Sequence, residues 1–254
     1  MKLNFKTHGQ GEPLIILHGL LGSLDNWSTL AKKFAENYTV FIVDQRNHGK
    51  SPHAKEFNYQ VLSEDLLEFM DDNHIHSANI IGHSMGGKTA MTFAVDHPDR
   101  VQKLIIADIA PIKYSGGHKI IFDALFSVDL VKIKSRKEVE TQLEGYIKEF
   151  GIRQFLLKGL TRDQDRNFVW KFNLKDLWDS YNAIIDTFDD LDTVFDGKTL
   201  FIKGANSNYI LDEYFPKIEK IFPNAEFETI EKAGHWLHAE QPTIFYELVN
   251  KFLD

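Results

Sequence analysis

The stretch ANIIGHSMGGKTAM, residues 78–91, carries two motifs that overlap and demand different chemistry. Gly82, Ser84 and Gly86 spell G-x-S-x-G, the strand-to-helix elbow that presents a serine nucleophile. Gly82, Gly87, Lys88 and Thr89 spell G-x-x-x-x-G-K-[ST], the loop that cradles nucleotide phosphates. Both motifs want an apolar strand before them and a helix after them, so the stretch alone does not choose. Even Asp108, closing LIIAD, could serve a P-loop protein as its magnesium-binding acid.

The neighbouring apolar runs set the frame. PLIIL (13–17), TVFIVD (39–44), ANII (78–81), VQKLIIAD (101–108), KTLFIK (198–203) and AEFETI (225–230) suit buried parallel strands. Helical patterns fall between most of them, at 27–36, 63–72, 86–96, 214–222 and 243–252. This alternation predicts an α/β fold, a mostly parallel central sheet flanked by helices, with ligands bound at the C-terminal strand ends. Between 111 and 192 the alternation stops, and only helical patterns remain, such as the one opened by SRKE at 135–138 in capping-box style. The expected organisation is a core of residues 1–110 and 193–254, with 111–192 as a helical lid inserted after the sixth strand.

Composition narrows the partners. The chain has 254 residues, 43% hydrophobic and 26% charged, with a formal net charge of -8. That balance attracts neither nucleic acid nor an anionic membrane surface, so neither is expected as a partner. Without any Cys there is no disulfide, thiolate metal site or thiol nucleophile. The first residues, MKLNFKTHGQGEP, lack the apolar centre of a signal peptide, and no run reaches the ~18 to 20 apolar residues of a membrane helix. A cytoplasmic location is the expectation.

The strand ends then discriminate between the two motifs. After PLIIL comes HGLLGS (18–23), a loop that would bring the backbone N–H of Leu20 beside the end of ANII. In the elbow reading that N–H and the N–H of Met85 form an oxyanion hole. After the last strand comes AGHWLHAEQP (233–242), whose histidines sit at the rim within reach of Ser84 as a proton acceptor. A phosphate-binding loop gives neither segment a task. The elbow reading also explains Gly82 and Gly86, which clear the close passage of helix past strand. Lys88 and Thr89 are ordinary residues for a helix's first turns.

Together HGLLGSLDNW, DQRNHGKSPH, GHSMGGKTAM, IADIAP and AGHWLHAEQP, in this order, resemble the α/β-hydrolase fold, and more narrowly the YbfF-type group of bacterial carboxylesterases. The resemblance covers 12–110 and 198–254 and implies Ser84 as nucleophile and His235 as general base. Its block AGH followed by Glu240 and Pro242 selects His235 over His238; a lone H-x-x-H is otherwise a weak metal signal, and neither metal nor cofactor is expected. A serine at 84 also argues against dehalogenase or epoxide hydrolase chemistry, which related enzymes run with Asp there.

The triad acid departs from the fold's commonest pattern. The loop after KTLFIK reads GANSNYILDE, with Asn206, Ser207 and Asn208 where a carboxylate is usual, and Asp212 and Glu213 fall at what reads as a helix start. Asp108 is the acid placed at another strand end, and the resemblance implies the same relocation through IADIAP. Ser84, Asp108 and His235 keep the order Ser-Asp-His.

The expected activity is hydrolysis of small carboxylic esters or acyl thioesters, by a monomer or small homo-oligomer. C–C bond hydrolysis, a menaquinone-pathway lyase step and peptide hydrolysis are the alternatives within the fold, and nucleotide binding the alternative outside it. Two features of 111–192 bear on substrate. Its aromatics, among them Phe122, Phe126, Trp170 and Trp178, could line an acyl pocket, and Arg136, Arg153, Arg162 and Arg166 could favour an anionic acyl group.

Overall fold

The computed structural model describes residues 1–186 and 193–254. Along the chain run β1 (Phe5–His8), β2 (Glu12–Leu17), α1 (Ser28–Phe34), β3 (Tyr38–Val43), α2 (Tyr59–Asp72), β4 (Ala78–His83), α3 (Met85–Asp96) and β5 (Val101–Ala107). There follow α4 (Lys119–Ser127), α5 (Arg136–Glu144), α6 (Phe150–Lys158), β6 (Leu160–Arg162), β7 (Phe168–Trp170), α7 (Leu174–Asp179) and α8 (Tyr181–Ile185). The chain closes with β8 (Lys198–Gly204), α9 (Phe215–Ile221), β9 (Ala225–Ile230), α10 (Leu237–Glu240) and α11 (Pro242–Leu253).

Seven strands form one sheet in the order β1-β3-β2-β4-β5-β8-β9. Only β1 is antiparallel, pairing with β3; every other pair is parallel. The apolar runs become strands because helices cover both faces, and period-two alternation then divides each strand between two cores. In β2, Ile15 and Leu17 join the core that holds Leu66 and Phe69 of α2 and Met91 of α3. Leu14 and Ile16 join the opposite core with Leu30 and Phe34 of α1 and Phe245 and Val249 of α11. Each such fully buried side chain stabilises the fold by about 1.5–3 kcal/mol, so one sheet ties two cores together.

Two sequence expectations need correcting. The inserted segment follows the fifth strand of the chain, not the sixth, because only β1 precedes the PLIIL strand in the sheet. The segment is also not wholly helical: β6 and β7 form a separate antiparallel hairpin. Strands of three residues are too short to show alternation, which is why none was expected there. The SRKE expectation holds, with Ser135 capping α5 by accepting from the Glu138 N–H. The boundary expected at 192 falls outside the described residues.

The segment builds a third apolar core, in which Phe122, Val139, Leu156 and Leu177 pack with Leu20, Leu21 and Met85 from the sheet's rim. Polar links pin it down. The Tyr59 hydroxyl donates to the Ile184 carbonyl at 2.6 Å, the Asn173 N–H to the Asn47 carbonyl at 2.8 Å, and Lys171 pairs with Asp25 at 3.0 Å. The C-terminal strand ends therefore open under a cover built from residues 111–186.

Candidate active site

Ser84 stands between β4 and α3 with φ 53° and ψ -119°, a left-handed conformation that a side-chain-bearing residue adopts only at a cost of about 1–3 kcal/mol. The surroundings enforce it. A Cβ on Gly82 would lie 2.4 Å from the Gly86 carbonyl oxygen, and one on Gly86 would lie 2.5 Å from that of Leu17. Both glycines thus make the close passage that the elbow motif requires. Ser84 is 9% exposed, its N–H bonded to the Ala107 carbonyl at 3.1 Å.

The Ser84 hydroxyl donates to His235 Nε2 at 3.0 Å, and His235 Nδ1–H donates to Asp108 Oδ2 at 2.8 Å. This single tautomer satisfies both contacts. Asp108 is fully buried, and a buried carboxylate is tolerated only when donors satisfy it. Gly204 N–H donates to its Oδ1 at 3.0 Å, and the Ser207 hydroxyl makes a short bond to its Oδ2. The loop after β8, where the acid is usual, thus supplies a donor to the relocated acid. Asp212 instead pairs at the surface with Lys203 at 3.0 Å.

His235 is held from three sides. Glu240 accepts from the N–H groups of Gly234, at 2.8 Å, and Trp236, at 3.2 Å, clamping the loop. His83 Nε2–H donates to the His235 carbonyl at 2.8 Å. The Tyr209 ring stacks on the imidazole with centroids 3.9 Å apart. Burial, then the neighbouring His238 and His235, holds His83 well below the ordinary histidine pKa, so it acts here as a neutral donor.

The HGLLGS loop is fixed by two further neutral histidines. His18 Nε2 accepts from the Gln45 N–H at 3.1 Å, and His48 Nε2 accepts from the Leu21 N–H at 3.1 Å. Desolvation by burial lowers the pKa of both. Leu20, Ser84 and Met85 consequently border one small space, and neither the Leu20 nor the Met85 N–H meets an acceptor among the described residues.

A cavity of about 300 Å³ opens over Ser84, lined by His83, His235, Trp236, Phe155, Ile152 and Ile121 among others. Of the aromatics expected to line it, none of Phe122, Phe126, Trp170 and Trp178 does. Phe122 is buried against Trp178 and Tyr181, so these rings hold the segment's own core. Three of the four arginines are engaged within the segment, and Arg166 is exposed. Arg136 donates to the Leu157 and Leu160 carbonyls and Arg153 to those of Ile147 and Lys148, while Arg162 lies over the Phe168 ring.

Sequence reasoning missed Tyr209, Ser207 and His118. His118 Nδ1 and Nε2 lie 2.9 and 3.3 Å from the Tyr181 and Tyr209 hydroxyls, and burial, then His235, pushes its pKa down to about 4. Only the three-dimensional meeting of distant loops reveals these residues. The phosphate-loop alternative finds its parts occupied. Lys88 is 1% exposed and its ammonium donates to the carbonyls of Ile112, at 2.8 Å, and Asp186, while the Thr89 hydroxyl bonds the Met85 carbonyl. His238 stacks on Trp27 with centroids 4.2 Å apart, and among the described residues no group of three or more His, Cys, Asp or Glu side chains is arranged to hold a metal. Nor is any described helix long and apolar enough to cross a membrane.

Comparison with known proteins agrees with the fold. A family model described as alpha/beta hydrolase fold matches residues 12–155. The chain is similar to Esterase YbfF of Escherichia coli (strain K12), 35% identical over 260 residues and covering 100% of both chains. It is also similar to the sn-1-specific diacylglycerol lipase ABHD11 of Mus musculus, 37% identical over 94% of this chain and 80% of that protein. Among solved structures, one titled as a marine microorganism esterase matches with a TM-score of 0.96 and 47% identity over 99% of each chain.

Proposed function

We propose that this chain, which belongs to the α/β-hydrolase fold family, is a serine ester hydrolase that works through an acyl-enzyme on Ser84. The observation that carries the reading is the continuous chain from Ser84 Oγ through His235 to Asp108, with contacts of 3.0 and 2.8 Å. His235 Nε2 takes the hydroxyl proton as Ser84 Oγ bonds to the substrate carbonyl carbon. The Leu20 and Met85 N–H groups stabilise the resulting oxyanion. His235 then returns the proton to the leaving alcohol or thiol as the C–O or C–S bond breaks. Water, deprotonated by the same imidazole, releases the acid and frees Ser84. Asp108 orients His235 and stabilises its cationic form; the scheme needs no cofactor.

Residues 111–192 act as a lid on a core of 1–110 and 193–254, and small carboxylic esters or thioesters are the substrates. The names carried by similar proteins, an esterase and a lipase, support ester chemistry. A cytoplasmic enzyme, monomeric or a small homo-oligomer, fits the composition. The test is turnover of 4-nitrophenyl acetate by the purified chain and by Ser84→Ala. Hydrolysis with a burst of 4-nitrophenol, lost in the variant, is expected; an equally active variant would overturn the proposal.

A further inference from the structure

Two cavities of very different size meet at Ser84. The large one, about 300 Å³, includes His235 in its wall. The small one, about 30 Å³, lies on the other side of Leu20 and Tyr209 and is bordered by Met85, Ile109, Tyr114 and Ile184. His235 borders the large cavity but not the small one.

Resting on the esterase reading above, this asymmetry orients the substrate. In the tetrahedral intermediate the former carbonyl carbon bears Ser84 Oγ, the oxyanion, the leaving oxygen and the acyl substituent. The oxyanion faces the Leu20 and Met85 N–H groups. The leaving oxygen has to receive its proton from His235 Nε2, so the alcohol must extend into the cavity that His235 borders. The acyl substituent is left with the small cavity. One water needs about 10–15 Å³ by this measure, so the space holds about two water-sized groups. We propose that the small cavity is the acyl site and admits acetyl or propionyl, while the large cavity takes a bulky, mainly apolar alcohol.

Three further observations agree. Tyr209, in the wall between the cavities, is fixed by stacking on His235 and by its hydroxyl contact with His118, so the partition is rigid. At the far end of the small cavity the Tyr59 hydroxyl is bonded to the Ile184 carbonyl and the Lys88 ammonium to that of Ile112. The large cavity, in contrast, shares Ile152, Phe155 and Trp236 with an outer groove of about 390 Å³. Long groups have room on the alcohol side alone, and the freed alcohol has a way out before water takes its place beside His235.

The experiment varies one half of the substrate at a time. With 4-nitrophenol as constant leaving group, kcat/KM is expected to fall about 10-fold or more at each step from acetate to butyrate to octanoate, as expected for chains that overfill a pocket. Acetates of 1-hexanol and 2-naphthol should be cleaved at least as well as ethyl acetate. Ile184→Ala, which lengthens the small cavity, should raise the butyrate-to-acetate ratio about 10-fold; Ile152→Ala should change alcohol preference and leave that ratio alone. Octanoate cleaved as readily as acetate by the wild-type chain would overturn the assignment without needing any variant to fold. So would a butyrate-to-acetate ratio that follows Ile152 and ignores Ile184. Failure of every ester, together with no labelling of Ser84 by a fluorophosphonate, would instead defeat the esterase reading beneath it.

Discussion

The rim of the sheet and the segment that covers it are held in place by different physics. At the rim, each proposed reacting group is fixed by several hydrogen bonds from separate loops: Asp108 accepts from Gly204, Ser207 and His235, and His235 is braced by Glu240, His83 and Tyr209. The covering segment is held mainly by apolar packing, in a core that also takes in Leu20, Leu21 and Met85 of the rim, with a few polar links such as those of Lys88, Tyr59 and Asn173. Over-determined geometry suits chemistry that fails when groups move by an ångström. A cover packed through apolar contacts can change the cavities' shape by side-chain substitution while the hydrogen-bonded triad keeps its geometry, which separates reaction from selectivity.

The rim should therefore break kinetically and the cover thermodynamically. The largest effect is expected for Asp108→Asn, which keeps the shape but removes the charge that orients and stabilises His235: kcat for 4-nitrophenyl acetate should fall about 10⁴-fold, with Asp212→Asn near wild type. Steady-state kinetics of the pair checks this, and the reverse ranking would return the acid to the loop after β8. Next comes Lys88→Ala, which strands buried carbonyls between α3 and the cover. It should lower unfolding stability by about 1–3 kcal/mol in urea titration while the folded fraction still turns over ester. Nucleotide binding lost together with esterase activity would instead favour the phosphate-loop reading.

The smaller effect per group is acid sensitivity. His118 and His238, with pKa values pushed down to about 4 and about 3, and His18, His48 and His83, also lowered by burial, stay neutral in the folded chain below the ordinary histidine value of 6.5. As pH falls through that value the unfolded chain takes up protons first, so stability is lost from about pH 6.5 downward and is fully present above it. Each such histidine contributes about 1.4 kcal/mol of loss per pH unit until its folded pKa is reached. Urea midpoints at pH 7.5 and 5.5 test this. An unchanged midpoint would mean that these imidazoles titrate normally.

The sequence was most legible where a strand end meets a motif. Long apolar runs flanked by helical periodicity located six of the seven sheet strands, and the 225–230 strand has the expected ends. The elbow was readable because Gly82 and Gly86 have a steric cause that is local in sequence. What stayed hidden depends on residues far apart in the chain. Strand β1, FKTH, is short and polar because it lies at the sheet's edge, and the β6–β7 hairpin has strands of three residues. Ser207 matters through a carboxylate 99 residues away and Tyr209 through a ring it stacks on, and neither leaves a periodic trace. Which aromatics of the cover face the cavity was not legible, since composition does not tell which way a ring points: Phe155 lines it, Phe122 is buried in the segment's core and Phe126 is exposed.

The central claim is that Ser84 is the one activated nucleophile. Intact mass spectrometry after treatment with a fluorophosphonate, followed by peptide mapping, reads it directly. The account predicts a single adduct per chain, on Ser84, with esterase activity lost in proportion to labelling and no adduct on Ser84→Ala. An adduct on another residue, or full activity in chains whose Ser84 is modified, would contradict it.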